Sequence, residues 1–494
     1  MKKQLFIFLV LCFFGINTAS AQVQRPRLVV GLVVDQMRWD YLYFYNDQYC
    51  NDGIKRLLNE GFSCESTMIN YIPTVTAIGH ASIFTGTGPA LHGIAGNSFY
   101  EDGKRMYCCG DPSVNPVGSN SDKEKLSPRN MYATTIGDQL RLATDFKSRV
   151  IGVALKDRAA ILPAGHSANA AYWYDKHEHK FITSTYYMQQ LPDWVVKFNQ
   201  DNFIPDDIRG KPVGITHTFK MAEAVLENEK LGQTGNTDML TVSISSTDII
   251  GHATGTRGPE NKEAYLQLDK DIAHFLQTLD RLVGKGNYLF FISADHGAVH
   301  NPNFLKKNHI PADGLQLWDD SKKLNQELAL QFKGADKLIL GTGSNSLYLN
   351  HEQINALGLK LCDVKAAIKK RLLEDKRINY VVDRANIMNE PIPQMLRERV
   401  ILGYNHRRSG DLLVITQPNV VPGSNAADYV GTSHGTWNPY DSHIPLVFFG
   451  WHIQPGQTNA ATNIVDIAPT VCAMLHIQMP SACVGTPILQ VTEK

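Results

Sequence analysis

The sequence predicts an α/β fold in which a central, mostly parallel sheet is flanked by helices on both faces. Short apolar runs that are typical of strands buried on both faces lie at 27–34, 149–155, 239–245 and 288–293. Segments with helical periodicity lie between them, at 51–60, 217–229 and 260–283. The chain is expected to return to the sheet at 61–69 and 443–450, and a last helix is expected from 466. Alternation of strands and helices favours parallel pairing, which indicates this fold class.

The length of 494 residues suits one large α/β domain with insertions, or two domains. We expect one domain over 22–494, with insertions at about 98–145, 160–215 and 310–430. The first is polar and rich in turn residues. The second is aromatic and is expected to be an irregular wall or cap on the substrate side. The third has helical and strand-like stretches, which predict a small α+β subdomain.

Residues 1–21 are predicted to be a secretory signal peptide. Two lysines precede the apolar run 5–15, and an Ala-Ser-Ala cleavage site follows at 19–21. The run is too short to span a bilayer, although an uncleaved N-terminal anchor is the alternative. No later segment is long and apolar enough to cross a membrane. We therefore expect a periplasmic or secreted protein with no membrane association after signal removal.

Charge and cysteine content limit the partners and the chemistry. The chain has 48 basic and 48 acidic residues, which gives no reason to expect nucleic acid or an anionic membrane as a partner. Seven cysteines follow the signal peptide, an odd number that leaves at least one unpaired. Cys472 and Cys483 are the pair expected to form a disulfide, around a turn at Pro480. We assign no chemistry to the cysteines, because none has a zinc-finger spacing.

Acidic and histidine residues follow three of the predicted strands. Asp35 comes directly after the first strand, and Asp295 and His296 come after the strand at 288–293. Open α/β sheets bind ligands at the carboxyl ends of their strands, so these positions suit a metal better than packing. Asp248 and His252 follow the strand at 239–245, and a spacing of four places both on one helical face. His434, in a glycine-bounded loop, completes the candidate ligands, which are Asp35, Asp248, His252, Asp295, His296 and His434.

Thr76 begins a helical run of small residues. A hydroxyl at a helix N-terminus meets free backbone N–H groups and the positive end of the helix dipole, which favour an anion there. A threonine in this position also serves as a helix cap, and the residue alone does not separate the two roles.

Three further polar residues are placed to contact an anion. Asn97 ends a glycine-rich turn, where its amide can donate to a phosphate oxygen or hold the turn. Lys156 and Arg158 follow the strand at 149–155, and two cations two residues apart can contact one anion from the same side. A solvated surface pair is the alternative interpretation of the two cations.

Carboxylate and imidazole ligands without thiolates suit zinc. Six protein ligands are too many for one catalytic zinc that keeps an open position, so they divide between two Zn²⁺ ions. A pair of metals roughly 4 Å apart is the usual device for phosphoryl transfer. Zinc lowers the pKa of a ligating hydroxyl, so Thr76 could attack as an alkoxide without a general base.

The order of these motifs resembles that of the alkaline phosphatase superfamily, over about residues 27 to 478. The matching segments are Val34-Asp35, Thr76 before Gly79-His80, Thr85-Gly86 with His92-Gly93-Ile94, Asp248-x-x-x-His252, Asp295-His296-Gly297 and His434-Gly435. Within the superfamily, the segments 93–97 and 155–158 resemble those of the phosphate-irrepressible alkaline phosphatases, whose nucleophile is threonine.

The resemblance implies an exported, zinc-dependent alkaline phosphatase that hydrolyses small-molecule phosphate monoesters. One zinc would be bound by Asp35, Thr76, Asp295 and His296, and the other by Asp248, His252 and His434. Asn97, Lys156 and Arg158 would bind the phosphoryl oxygens. Thr76 would form a covalent phosphothreonine, and the second zinc would stabilise the leaving oxygen and then supply hydroxide. Ile78 departs from the family pattern, since relatives often carry proline there.

Three other functions compete with this interpretation. A phosphodiesterase of the nucleotide pyrophosphatase type shares the metal site and a threonine nucleophile, but the two cations favour a monoester. A sulfatase needs a modified cysteine or serine where this chain has Thr76. A metal-dependent phosphate-binding protein without turnover is the alternative of another class, and the intact nucleophile and ligand set argue against it.

Overall fold

A computed structural model describes residues 23–493 of the chain. The predicted signal peptide therefore lies outside the described residues. The strands are β1 (Leu28–Val34), β2 (Phe62–Met68), β3 (Ser98–Glu101), β4 (Lys104–Tyr107), β5 (Pro116–Val117), β6 (Val150–Ala154), β7 (Ala170–Asp175), β8 (Lys180–Ser184), β9 (Asp238–Ile244), β10 (Tyr288–Ser293), β11 (Asp313–Leu315), β12 (Ile339–Gly343), β13 (Ser346–Leu349), β14 (Ile378–Asp383), β15 (Leu412–Thr416), β16 (Val420–Pro422), β17 (His443–Ile444), β18 (Leu446–Gly450) and β19 (Gly456–Asn463).

The helices alternate with these strands along much of the chain. They are Tyr41–Phe44, Ile54–Glu60, Thr76–Thr85, Pro89–His92, Ile136–Ala143, Asp157–Ala164, Asp193–Asp201, Pro212–Asn228, Ser246–Thr254, Pro259–Leu279, Pro302–Lys307, Leu317–Gln331, His351–Ala356, Leu361–Leu372, Gln394–Leu402, Pro439–Ser442, Ile467–Leu475 and Leu489–Thr492. Within residues 23–493, none of them is long and apolar enough to cross a membrane.

An 11-stranded sheet forms the centre of the molecule, in the order β17-β2-β18-β10-β1-β9-β6-β7-β8-β5, with β19 beside β2. The central strands β10, β1, β9, β6 and β7 are parallel neighbours. The outer strands β18 and β8 pair with them in the antiparallel sense. The predicted α/β class is confirmed, with the parallel pairing concentrated in the middle of the sheet.

The register of the central strands determines where the polar residues gather. Val33 of β1 pairs with Ser293 of β10, and Val34 pairs with Ile244 of β9. The strands β1, β9 and β10 therefore end at the same level. Every residue of these three strands is buried, as their continuous apolar runs predict. The residues that follow them share one edge of the sheet.

The interpretation of 160–215 as an irregular wall is wrong for its central part. Residues 170–184 form β7 and β8, which extend the main sheet. All residues of β7 are buried, and Trp173 is among the largest fully buried side chains. The physical reason is that aromatic residues are enriched in strands, and here they pack within the sheet.

The helices and strands expected in 310–430 are present. A four-stranded sheet, β12-β13-β15-β14, packs its own apolar cluster with the helices Leu317–Gln331 and Leu361–Leu372. The first insertion contains the hairpin β3–β4 and ends in the helix Ile136–Ala143. The limits of the three insertions remain a prediction.

The expected disulfide between Cys472 and Cys483 is wrong in this structure. The seven cysteines of the described residues are all free. Cys472 is buried on the helix Ile467–Leu475, and the thiol of Cys483 contacts the Gly485 carbonyl. Closeness in sequence does not orient two Cβ atoms toward each other, which is what a bridge requires.

Candidate metal and phosphate site

The carboxyl ends of the central strands bring the predicted metal ligands together. Asp35, Asp295 and His296 each offer one ligand atom, and these atoms lie within 4.8 Å of one another. The same holds for Asp248, His296 and His434. We call the first set the inner group and the second set, together with His252, the outer group. His296 is a member of both groups.

The inner group fits a metal ion. Three of its atoms, Asp35 Oδ1, Asp295 Oδ2 and His296 Nε2, are buried without a hydrogen-bond partner among residues 23–493. His296 Nε2 lies 3.5 Å from each of the two oxygens. Buried polar atoms are costly unless they are satisfied, so three unpaired ligand atoms facing one another indicate a cation site.

In each of the three histidines of the two groups, Nδ1 lies within hydrogen-bond distance of a backbone carbonyl. His252 Nδ1 lies 2.9 Å from the Thr432 carbonyl, and His434 Nδ1 lies 2.7 Å from the Thr74 carbonyl. His296 Nδ1 lies 3.0 Å from the Gly297 carbonyl. A backbone carbonyl accepts only from a protonated Nδ1, so each Nε2 keeps its lone pair for a metal.

The outer group is centred on Asp248. Its Oδ1 lies 3.1 Å from His252 Nε2 and 3.6 Å from His434 Nε2. Asp248 and His252 lie on the helix Ser246–Thr254, as their spacing predicts. The ring of His434 stacks on that of His296, with 3.5 Å between centroids. The two groups are therefore in direct contact.

Lys156 joins the two groups. Its ammonium lies 2.6 Å from Asp35 Oδ2 and 2.6 Å from Asp248 Oδ2. Burial tends to raise the pKa of Asp248, but Lys156, His252 and His434 hold it well below the usual value. Burial and the neighbouring carboxylates of Asp248 and Asp295 raise the pKa of Asp35 well above its usual value. Three carboxylates packed this closely favour cations among them.

Thr76 is the first residue of the helix Thr76–Thr85, and Val75 holds the cap position. Its assignment as a helix cap is therefore not supported. Gly79 explains how this helix approaches the inner group, because a Cβ there would lie 2.3 Å from the Asp295 carbonyl oxygen. His80 Nδ1 lies 2.9 Å from the Thr76 carbonyl and 3.3 Å from Asp295 Oδ2.

Asn97 lies beside the nucleophile candidate. Its side-chain oxygen accepts a hydrogen bond of 3.0 Å from the backbone N–H of Ala77, the residue after Thr76. The amide nitrogen is then the donor left for a ligand. Arg158 is held differently from Lys156, because its Nη1 donates to the Tyr107 hydroxyl at 3.3 Å.

Two residues to which the sequence analysis assigned no role contact the ligands. The backbone N–H of Gln36 donates to Asp295 Oδ1 at 3.1 Å, and its side-chain Nε2 donates to Asp248 Oδ1 at 2.6 Å. Gln36 has a φ of 66°. Gly251 makes room for it, since a Cβ there would lie 2.0 Å from Gln36 Oε1. His80 is the other residue, through its contact with Asp295.

A family model described as type I phosphodiesterase / nucleotide pyrophosphatase matches residues 29–437. The chain belongs to this family. The predicted membership of the alkaline phosphatase superfamily is thereby confirmed. The matched residues include every member of the inner and outer groups.

Curated relatives match nearly the whole chain. A Myroides odoratus protein named calcium-transporting ATPase is 44% identical and covers 100% of both chains. Alkaline phosphatase PafA of Elizabethkingia meningoseptica is 42% identical over 99% of this chain and 98% of its own. Alkaline phosphatase PhoV of Synechococcus elongatus is 42% identical over 94% and 93%. A crystal structure of alkaline phosphatase PafA superimposes with a TM-score of 0.91, over 95% of this chain and 99% of that one.

Proposed function

We propose that this protein is an exported alkaline phosphatase that hydrolyses small-molecule phosphate monoesters with two Zn²⁺ ions. The observation that carries the proposal is the pair of adjoining ligand groups at the sheet edge, with the Thr76 backbone carbonyl and Asp295 Oδ2 both close to His80 Nδ1. The relatives named alkaline phosphatase, at 42% identity, support the same activity. The signal-like pattern in 1–21 supports export.

The ligands would divide as the family resemblance implies. Asp35, Asp295 and His296 would hold one zinc together with Thr76, and Asp248, His252 and His434 would hold the other. Bound in this way, the two ions would lower the pKa of the Thr76 hydroxyl and stabilise charge on the leaving oxygen.

The chain's own residues then account for the chemistry. Thr76 Oγ1 attacks phosphorus in line, and the bond to the leaving alcohol breaks as the phosphothreonine forms. Water hydrolyses the phosphothreonine and regenerates Thr76. Because Thr76 lies at the first turn of a helix, the positive end of the helix dipole would face the phosphoryl group.

Asn97, Lys156 and Arg158 bind the non-bridging oxygens in this proposal. Lys156 contacts one carboxylate of each ligand group, so its ammonium lies where a phosphoryl group between the groups is within reach. Fixed cations of this kind stabilise a dianion in a buried site better than solvent does. A phosphodiester carries one charge and a second substituent, so two cations favour the monoester over the diesterase chemistry that the family name includes.

Thr76 variants test the proposal against a binding protein without turnover. We expect Thr76→Ala to lose hydrolysis of an aryl phosphate by at least about 1,000-fold while it still binds inorganic phosphate. Thr76→Ser, which keeps a hydroxyl, is the matched control and should retain measurable turnover. A zinc-loaded wild type that binds phosphate without hydrolysing any monoester would contradict the proposal.

A further inference from the structure

Tyr107 belongs to the first insertion, and the hairpin β3–β4 brings it to the phosphate site. The hairpin begins directly after Asn97. Tyr107 pairs with Ser98 across it, and the backbone N–H of Cys108 donates to the Asn97 carbonyl at 3.1 Å. The position of Tyr107 is therefore fixed relative to Asn97 by the backbone alone.

The Tyr107 hydroxyl lies between the two residues that follow Lys156. It donates to Asp157 Oδ1, and it accepts a hydrogen bond of 3.3 Å from Arg158 Nη1. Asp157 Oδ1 also accepts from the backbone N–H of Arg158. The three residues form a closed network in which the hydroxyl uses both its donor and an acceptor site.

The ionisation of this network suits an anion-binding arginine. Burial, followed by the negative charge of Asp157, raises the pKa of Tyr107 well above its usual value, so the hydroxyl keeps its proton at alkaline pH. Burial tends to lower the pKa of Arg158, but Tyr107 and Asp157 outweigh it and raise that pKa. The neutral hydroxyl can therefore accept from the charged guanidinium while it donates to Asp157.

Arg158 depends on this contact for its orientation. Its Nε is buried and has no hydrogen-bond partner within residues 23–493. An arginine side chain has many rotamers, and restricting it to one rotamer when a ligand binds costs free energy. A donor that is already held in place avoids that cost when phosphate charge develops.

We propose that Tyr107 is a positioning residue that holds Arg158 for the phosphoryl group. The inference rests on the proposed role of Arg158 in binding the phosphoryl oxygens. It gives the polar first insertion a task in the site, since one hairpin then positions Asn97 directly and Arg158 through Tyr107.

A double-mutant cycle tests this inference. We expect Tyr107→Phe to lower kcat/KM for an aryl phosphate monoester by about tenfold. The inhibition constant of inorganic phosphate should rise, because phosphate binds more weakly. In the Arg158→Ala background the same substitution should change neither quantity, because the group it positions is gone. Hydrolysis of the matching methyl diester should change much less than hydrolysis of the monoester.

Tyr100→Phe is the matched control, because Tyr100 lies in the same hairpin and its ring packs on Tyr348, with 4.9 Å between centroids. It should leave all rates unchanged. An equal loss from Tyr107→Phe with and without Arg158 would overturn the inference and leave Tyr107 a purely structural residue. So would a Tyr107→Phe variant as active as wild type. An Arg158→Ala variant with wild-type activity would overturn the role of Arg158 itself, and the Tyr107 inference with it, without affecting the assignment of Thr76.

Discussion

Replacement of Gln36 by methionine is predicted to weaken zinc binding at the outer group. Gln36 Nε2 donates to Asp248 Oδ1 at 2.6 Å, and both side chains are buried. Methionine keeps the unbranched shape but removes the donor, so the carboxylate loses one of the contacts that orient it. The backbone N–H of Gln36 still donates to Asp295 Oδ1, so the inner group should change little.

The expected size follows from that one hydrogen bond. A hydrogen bond to a charged group contributes about 1.5–3 kcal/mol, and about 1.4 kcal/mol corresponds to tenfold in affinity. The dissociation constant of the weaker zinc should therefore rise by about 10- to 100-fold, which is the range seen when residues behind a metal ligand are changed. Activity should recover when free zinc is raised.

Titration of the metal-free protein in a series of zinc buffers measures this effect, with activity followed in parallel. Gln139→Met is the matched control. Gln139 is also buried, and its Nε2 donates to Thr134 Oγ1 at 2.9 Å, outside both ligand groups. The reasoning is refuted if Gln36→Met binds both zinc ions as tightly as wild type, or if the Gln139→Met control weakens binding to the same extent.

Two further outcomes follow from groups away from the metals. Burial lowers the pKa of His92 to about 3, so below about pH 6.5 the unfolded chain binds a proton that the folded chain does not. The free energy of unfolding should therefore fall by about 2 kcal/mol between pH 7.5 and pH 5 because of His92. Urea unfolding of His92→Gln should lack this part of the pH dependence. An unchanged pH dependence in the variant would contradict the lowered pKa of His92. The described cysteines are free, so titration of the unreduced, denatured protein without residues 1–21 should detect seven thiols, whereas a bridge between Cys472 and Cys483 would lower the count by two.

The sequence predicts which candidate ligands meet at the sheet edge, because their signal is local. Asp35 and Asp295 each stand directly after a strand that is apolar throughout, and a parallel sheet brings such positions to one edge. The register, which brings the ends of β1 and β10 to one level, is a property of the folded sheet that strand boundaries alone do not determine. The helical spacing of Asp248 and His252 is local in the same way.

The contacts of Gln36 and His80 with the ligands could not be predicted from the sequence, because they depend on backbone conformation and packing. Gln36 reaches Asp248 only because its backbone has a φ of 66° and because Gly251 leaves room for its amide. His80 reaches Asp295 because Gly79 permits the helix to approach the strand end. Nothing in the local sequence around Gln36 or His80 indicates these contacts. Tyr107 is the same case, since it reaches Arg158 through a hairpin that looked like an insertion.

The wrong predictions have physical reasons as well. The aromatic run at 172–174 is interpreted from the sequence as part of an irregular wall, yet every residue of β7 is buried in the main sheet, because aromatic residues are also enriched in strands. The pairing of Cys472 with Cys483 relied on a short sequence separation, which does not by itself set the geometry that a disulfide requires.

The comparison of two hydrolysis rates tests the central claim most directly. Turnover of an aryl phosphate monoester and of the matching methyl diester would be measured with the zinc-loaded protein without residues 1–21, in wild type and in Lys156→Ala/Arg158→Ala. A large monoester preference that collapses in the double variant is the result that this account predicts. A diester preference in wild type, or a monoester preference that survives the loss of both cations, would contradict it.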